Sequence, residues 1–125
     1  MSVKQSWLIN FDWERPPLTA NQRLHWSKKA QLTKRIRKVA ALEAANANIP
    51  ALKQCRVQLV WMVLDSRRRD VDNVVPTLKA MCDGLVDAGI VPDDTPNYMQ
   101  KLMPVIHRVD RAFGPAQLQL VIEEM

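Results

Sequence analysis

The feature that most constrains the fold is a run of strand-forming residues between positions 53 and 65. Toward the end of this run, apolar side chains occupy both sets of alternating positions: Val57, Leu59, Trp61 and Val63 in one set, and Val60, Met62 and Leu64 in the other. Because successive side chains of a strand point to opposite faces, the run predicts a strand that is buried on both faces toward its end. The elements on either side of it then decide the fold class.

Helical periodicity lies on both sides of this strand. Between residues 23 and 46, apolar residues recur at spacings of three and four and form one stripe, Leu32, Ile36, Val39 and Leu42. A second helix is predicted to begin at Asp72 or at Pro76 and to run to Ala88. Gly89 suits the left-handed conformation that ends a helix.

Further strands are predicted near both ends of the chain. Residues 3 to 12 mix apolar and polar positions as a strand does, and the proline-containing residues 13 to 21 form a loop. Residues 98 to 109 and 117 to 123 are predicted to be two strands joined as a hairpin. Pro104, inside the first of these, indicates a sheet edge or a bulge. The predicted fold is an α/β domain of order β-α-β-α-β-β with a mixed sheet.

The length of 125 residues corresponds to one domain, spanning residues 1–125, which a second copy could complete. The formal net charge is +5, which fits nucleic-acid binding but is not specific to it. Cys55 and Cys82 form no CxxC pair, so we expect buried, reduced thiols. No apolar run is long enough to span a membrane, and the expected location is cytoplasmic.

Acidic residues cluster where the charged connection after the long strand meets the second helix. Asp70 and Asp72 are two positions apart and would point the same way in an extended segment. Carboxylates are the natural ligands of magnesium, which can polarise a phosphate and activate a water. Lys79 follows Asp72 by about two helical turns, so it shares the face of Asp72 if the helix begins there. Asp83, one turn further, could hold Lys79 in place.

Asp93 and Asp94 follow the second helix, and either could close a three-carboxylate metal site. The spacing does not choose between them. Simpler interpretations exist for each residue: Asp72 as a helix N-cap, Asp93 and Asp94 as turn acids, and Lys79 as a solvated lysine.

Taken together, these motifs resemble those of the RusA family of Holliday junction resolvases. The resemblance rests on the arginine-rich turn Arg67-Arg68-Arg69, Asp70-Val71-Asp72-Asn73, Lys79, Asp83-Gly84-Leu85, Ala88-Gly89 and Asp93-Asp94, and on the early proline-rich loop that runs into Thr19-Ala20-Asn21. The resemblance covers most of the chain, but only the motifs between Arg67 and Asp94 are specific to the family. One departure is the segment Val74–Leu78 before Lys79, which is longer than the family pattern and could displace that lysine.

The resemblance implies a homodimeric, Mg²⁺-dependent endonuclease, with Mn²⁺ able to substitute, that makes paired nicks across a four-way DNA junction. By motif position, Asp70, Asp72 and Asp94 would be the catalytic metal ligands, with Asp93 a neighbour of less certain role. Lys79 would be the active-site lysine. The host would be a bacterial or phage-infected cell.

Basic residues are concentrated in two segments that would bind the DNA backbone. Such contacts give affinity and register without reading sequence. The candidates on the first helix and the arginine-rich turn are Lys28, Lys29, Lys34, Arg35, Arg37, Lys38, Arg67, Arg68 and Arg69. Trp26, beside this set, is a candidate for base stacking. Two alternatives remain: a dimeric DNA-binding module without catalysis, and a nuclease of the same chemistry specific for flaps or forks.

Overall fold

The apolar run between residues 53 and 65 forms the central strand of the sheet. In the computed structural model, which describes residues 4–125, this strand is β2, Cys55–Val63. Val57 and Leu59 are fully buried, whereas Val60 and Met62 are partly exposed. The prediction of burial on both faces is therefore only partly correct, because the core that includes both helices lies on the face of Val57 and Leu59.

The predicted class, α/β with a mixed sheet, is confirmed. The other elements are β1 (Ser6–Phe11), α1 (Trp26–Asn46), α2 (Val75–Asp87), β3 (Met99–Lys101), β4 (Val105–Arg108) and β5 (Gln117–Glu124), with 3₁₀ turns at Val71–Val74 and Arg111–Phe113. The predicted start of the first strand at Val3 lies outside the described residues. Within residues 4–125, no helix is both long and apolar enough to cross a membrane.

The sheet order corrects the predicted hairpin. β5 lies between β1 and β2 and pairs antiparallel with both, while β4 pairs parallel with the opposite side of β2. The 3₁₀ turn at Arg111–Phe113 lies between two strands that are not partners. A turn signal close in sequence therefore did not identify the pairing. Leu118, Leu120 and Ile122 are fully buried, as expected for a strand with neighbours on both sides.

Pro104 divides the predicted strand at residues 98 to 109 into two short strands. β3 and β4 both pair parallel with β2, one after the other along the same edge. Proline has no backbone N–H to donate to a neighbouring strand, so pairing is interrupted there. The predicted sheet edge is confirmed, and the observed order is β-α-β-α-β-β-β, with one strand more than predicted.

Helices α1 and α2 pack closely through small residues. Ile36, Ala40 and Ala44 are the buried residues of α1, whereas Leu42, predicted to be on the apolar stripe, is 58% exposed. An added Cβ at Gly84 of α2 would lie 2.8 Å from the Cβ of Ala40, closer than real side chains approach. The predicted stripe selected large apolar residues, but the closest helix contact depends on small ones.

The proline-rich loop is fastened to α2 by one buried hydroxyl. Oγ1 of Thr77 donates to the carbonyl oxygen of Leu18 at 2.7 Å and accepts from the Leu18 N–H at 3.2 Å. Thr77 is fully buried and Leu18 nearly so. Since Thr77 lies two residues before Lys79, this contact fixes the first turn of α2 and the lysine that it carries.

Replacement of Thr77 by valine should destabilise the fold by about 2 kcal/mol, because both buried backbone groups of Leu18 lose their partner while the side-chain volume hardly changes. Thr77→Ser, which keeps the hydroxyl, is the matched control. Urea denaturation of both variants measures the free energy of unfolding. A Thr77→Val protein as stable as the wild type would show that these two hydrogen bonds contribute nothing.

The two cysteines are free and buried, as predicted. Burial raises the pKa of Cys55 to about 11 and that of Cys82 to about 12. Both thiols are therefore protonated near neutral pH.

Candidate active site

A carboxylate held by two lysines lies at the centre of the candidate site. Oδ2 of Asp94 accepts a hydrogen bond from Nζ of Lys79 at 2.6 Å and another from Nζ of Lys101 at 2.7 Å. The Asp94 side chain is 16% exposed, compared with 56% for Lys79 and 30% for Lys101. The carboxylate is thus largely enclosed, whereas the two lysines that bind it are more exposed.

Three different elements bring these groups together. Lys79 lies on α2, Asp94 lies in the loop that follows α2, and Lys101 is the last residue of β3, where it pairs with Val57 of the central strand. The loop is anchored before Asp94 by the buried residues Ile90 and Val91.

Lys79 is also bound by a second carboxylate, as predicted. Its Nζ donates to Oδ1 of Asp83 at 3.0 Å, one helical turn further along α2. The hydrogen bond to Asp94, followed by the one to Asp83, raises the pKa of Lys79. The lysine is therefore a cation at neutral pH and not a free amine that could act as a general base.

The two lysines keep Asp94 ionised. The hydrogen bond from Lys101, followed by that from Lys79, holds the pKa of the Asp94 carboxyl well below its ordinary range. Burial of the carboxyl raises its pKa, but this effect is smaller than that of the two hydrogen bonds.

Asp93 does not join this cluster through its side chain. Its Oδ1 accepts a hydrogen bond from the backbone N–H of Asp94 at 2.7 Å, and the residue is exposed. This is the geometry of a turn acid. Of the two aspartates that the spacing left open, Asp94 is the one that contacts Lys79.

Asp70 and Asp72 are exposed on the surface. Asp70 has an extended backbone, but Asp72 is within the 3₁₀ turn, so the strand alternation assumed for the pair does not apply. Val74, not Asp72, is the N-cap residue of α2. Within the described chain, neither carboxylate has a hydrogen bond or ion pair to another side chain.

The structure does not unite the predicted carboxylates in one group. Within residues 4–125, no three His, Cys, Asp or Glu side chains are close enough to hold a metal ion. Of the two predicted starts of the second helix, Asp72 and Pro76, the later one is nearly correct, because regular α-helix begins at Val75. Lys79 therefore does not share a helical face with Asp72. The ligand set of Asp70, Asp72 and Asp94, with Asp93 as neighbour, stays a prediction.

The arginine-rich turn divides into anchored and exposed residues. Nη2 of Arg69 binds Oδ1 of Asp65 at 2.7 Å, and its guanidinium carbon lies 5.1 Å from the centre of the Trp61 ring system. Arg69 is thus engaged within the protein. Arg67 and Arg68 are exposed, although Nε of Arg67 lies 3.6 Å from Oδ2 of Asp65, and they remain the candidates in this turn for binding phosphate.

The basic face of α1 lies beside the lysine–aspartate cluster. The guanidinium of Arg37 binds the carboxylate of Asp87 at the end of α2 through two hydrogen bonds, so it joins the two helices. These bonds are the main cause of the raised pKa of Arg37, to which the charges of Asp83 and Asp94 add. The other basic candidates of α1 are exposed and have no ion pair among the described residues: Lys28, Lys29, Lys34, Arg35 and Lys38.

Exposed aromatic surface accompanies this basic face. Trp26, at the start of α1, is 76% exposed, whereas the other three tryptophans are partly buried against the core. Trp26 lines an open groove along α1 with Lys29, Lys34, Lys38 and the Arg37–Asp87 pair.

Lys101 is the residue of this cluster that the sequence did not reveal. It follows Asp94 through a turn and a short strand, so no helical or strand period connects the two. The signal that could have located it is the parallel pairing of β3 with β2, which brings Lys101 beside Val57. Such long-range pairing is not encoded in local spacing.

Comparisons of the sequence with protein-family models and with curated proteins found no match. The interpretation of the site therefore depends on its geometry and chemistry and on the motif resemblance.

Proposed function

We propose that this protein is a Mg²⁺-dependent endonuclease that cuts branched DNA, with four-way junctions as its preferred substrate. The proposal combines the motif resemblance with the chemistry of the site. It depends most on one observation, the contact between Lys79 and Asp94. These two residues are fifteen positions apart on different elements, and their side chains meet at 2.6 Å.

The surroundings of the cluster favour a polyanionic substrate. The exposed lysines of α1 and the exposed Arg67 and Arg68 can bind phosphates without reading base sequence. The guanidinium of Arg37 binds Asp87, and Gly84 packs against the backbone of Arg37, so the basic helix adjoins the helix that carries Lys79 and Asp83. A DNA backbone bound along α1 would therefore pass near Asp94.

The donor chemistry of the predicted ligands suits magnesium, although within residues 4–125 no three such side chains converge. Asp70 and Asp72 offer exposed carboxylates, which are hard oxygen ligands. The third predicted ligand, Asp94, already accepts two ammonium groups on Oδ2. A bound Mg²⁺ would supply charge stabilisation at the phosphate and activation of a water.

The protein's own groups have clear roles in this proposal. Lys79 and Lys101 would stabilise the negative charge that develops on phosphate oxygens, as positioned cations do in other active sites. Asp83 and Asp94 would orient Lys79. Arg67 and Arg68 would position the DNA backbone near the cut.

A symmetric dimer is part of the proposal, because two strands of a junction must be cut at related positions. Cleavage of a plasmid that extrudes a cruciform distinguishes a dimer that cuts both strands from subunits that cut independently. Two nicks made in one binding event give linear DNA, whereas independent nicks give open circles first.

The test is cleavage of a synthetic four-way junction, labelled on each strand in turn, with Mg²⁺ or with EDTA. We expect cutting that requires Mg²⁺. We also expect Asp70→Asn to reduce the rate by about a hundredfold, because metal-ion stabilisation of a transition state amounts to several kcal/mol. Asp12→Asn, which changes an exposed aspartate after β1, is the matched control and should cut like the wild type.

Each alternative predicts a different result in the same assay. Junction binding without cutting in Mg²⁺ would favour a DNA-binding module without catalysis. Faster cutting of a flap or fork than of the junction would favour a nuclease that is specific for flaps or forks. Equal cutting by Asp70→Asn and wild type would exclude Asp70 from the site.

A further inference from the structure

We propose that the groove along α1 binds a single-stranded segment of branched DNA and that Trp26 stacks on one of its unpaired bases. The inference deepens the proposed function and rests on it for the identity of the substrate, because it names the part of a branched DNA that this face recognises. The binding itself can be measured on an isolated DNA strand, without a metal ion and without cleavage.

The groove follows one face of α1. The residues of this helix that line it recur at spacings of three and four, from Trp26 to Ala41, which places them on one side of the helix. This face is about 22 Å long, since each residue advances a helix by about 1.5 Å. The groove has a volume of about 870 Å³, so a strand of several nucleotides fits along it.

Small side chains separate the larger residues of the groove. Ala30, Thr33 and Ala41 line it, and the Thr33 hydroxyl donates a hydrogen bond to the carbonyl oxygen of Lys29 at 2.8 Å within the helix. The hydroxyl proton is therefore already engaged. A flat, largely apolar group such as a nucleobase can lie against these residues without displacing a large side chain.

Cations predominate among the residues that line the groove. Lys29, Lys34 and Lys38 are exposed and have no ion pair among the described residues. The one carboxylate of the lining belongs to Asp87, and Arg37 neutralises it through two hydrogen bonds. The groove therefore retains positive charge for the phosphates of a polyanion.

Trp26 supplies the contact that distinguishes an unpaired base from the phosphate backbone. Its side chain is 76% exposed, although tryptophan has a large apolar surface that proteins usually bury. An exposed aromatic ring beside a basic groove is the arrangement by which proteins bind single strands, because every base has a face that can stack. In a continuous duplex those faces are covered by the neighbouring base pairs, whereas a branch can expose them.

The experiment measures binding of a short labelled thymidine strand by fluorescence anisotropy in EDTA. An abasic strand of the same length and charge, and a duplex, are the reference ligands. Trp26→Ala should bind the thymidine strand about tenfold more weakly, within the usual effect of removing one base-stacking aromatic side chain, and the two reference ligands as the wild type does. Trp26→Phe should lose less. Phe113→Ala, which removes an exposed aromatic side chain outside the groove, is the matched control and should bind like the wild type.

The salt dependence of binding separates the role of Trp26 from that of the lysines. Lys34→Gln should weaken binding of the thymidine and abasic strands alike. It should also reduce the slope of log affinity against log salt concentration by about 0.7, the contribution of one phosphate contact on a single strand. Trp26→Ala should leave this slope unchanged, because an indole ring neutralises no phosphate.

The outcomes separate this inference from the proposed function. Equal affinity of the wild type for the thymidine and abasic strands would overturn it, and this comparison needs no variant to fold. Unchanged binding of the thymidine strand by Trp26→Ala, with its fold verified by thermal unfolding, would also overturn it, whether or not the wild type cuts DNA. Selective loss of thymidine-strand binding in Trp26→Ala, together with an absence of cutting by the wild type, would support the stacking site and refute the nuclease.

Discussion

Replacement of Asp94 by asparagine is expected to reduce Mg²⁺-dependent junction cleavage by about a thousandfold, because Asp94 holds both lysines that are proposed to stabilise charge on the phosphate, and loss of a principal charge-stabilising group has an effect of this size in other enzymes. The amide of asparagine keeps the shape of the side chain but not its charge. Lys101 then loses its ion-pair partner, and Lys79 keeps only Asp83. Cleavage rates at saturating Mg²⁺, together with junction binding in EDTA, measure the effect. Binding should change little.

Asp93→Asn is the matched control for this prediction. It makes the same chemical change one residue earlier, in a side chain that, among the described residues, binds only a backbone N–H in the turn. We expect a loss of less than about tenfold, because a turn hydrogen bond contributes modestly to stability and does not reach the cluster. If Asp93→Asn were the more damaging substitution, Asp93 would be the functional acid and the observed cluster would be structural.

The stability of Asp94→Asn provides a second measurement that does not depend on activity. The pKa of Asp94 is lowered on folding, so its ionised form stabilises the native state above the ordinary aspartate value of 3.8. This contribution is lost as the pH falls below that value and through the lowered pKa. The difference in melting temperature between wild type and variant should therefore be largest near neutral pH and should shrink in strong acid.

The sequence predicted the site best where its members share one element. Lys79 and Asp83 are four residues apart on α2, and the predicted contact exists because helix geometry determines it. The sequence indicated Asp93 or Asp94 as a metal ligand after the helix, but it did not predict the contact of Asp94 with Lys79. Lys101 was missed, because its position depends on which strand β3 pairs with.

The predictions that were wrong share a physical cause. The hairpin at the end of the chain and the extended conformation considered for Asp70 and Asp72 each extrapolated a local pattern across a boundary. At those boundaries tertiary packing decides the conformation. β5 pairs with β1 and β2 because Leu118, Leu120 and Ile122 complete the core there, which the turn at residues 110 to 115 does not indicate.

The stripe predicted for α1 was wrong at Leu42, because the closest contact between the two helices uses small residues and not large apolar ones. The same close contact gives the largest expected effect on stability. Helices α1 and α2 meet at Gly84, where an added Cβ would collide with the carbonyl oxygen of Arg37 and with the Cβ of Ala40. The carbonyl oxygen of Arg37 belongs to the backbone and cannot rotate away. The two helices must separate to admit a methyl group, which would also shift the helix that carries Lys79 and Asp83.

Gly84→Ala should therefore destabilise the protein by about 3 kcal/mol, near the upper end of the usual cost of overpacking a core. The melting temperature should fall by roughly 10 °C. The sign of the change in stability identifies its cause, because alanine is favoured over glycine inside a helix by up to about 1 kcal/mol. Helix propensity alone would make the variant more stable, so any loss measures the collision between the helices.

Gly89→Ala separates this collision from the loss of glycine's backbone freedom. Gly89 has a φ of 79° at the end of α2, and nothing lies within 4 Å of an added Cβ there. Its replacement should cost about 1 kcal/mol through the left-handed conformation alone. Urea denaturation of the two variants gives both free energies of unfolding. If Gly84→Ala cost no more than Gly89→Ala, the close approach of α1 and α2 would not limit the packing, and the position of Lys79 would not depend on it.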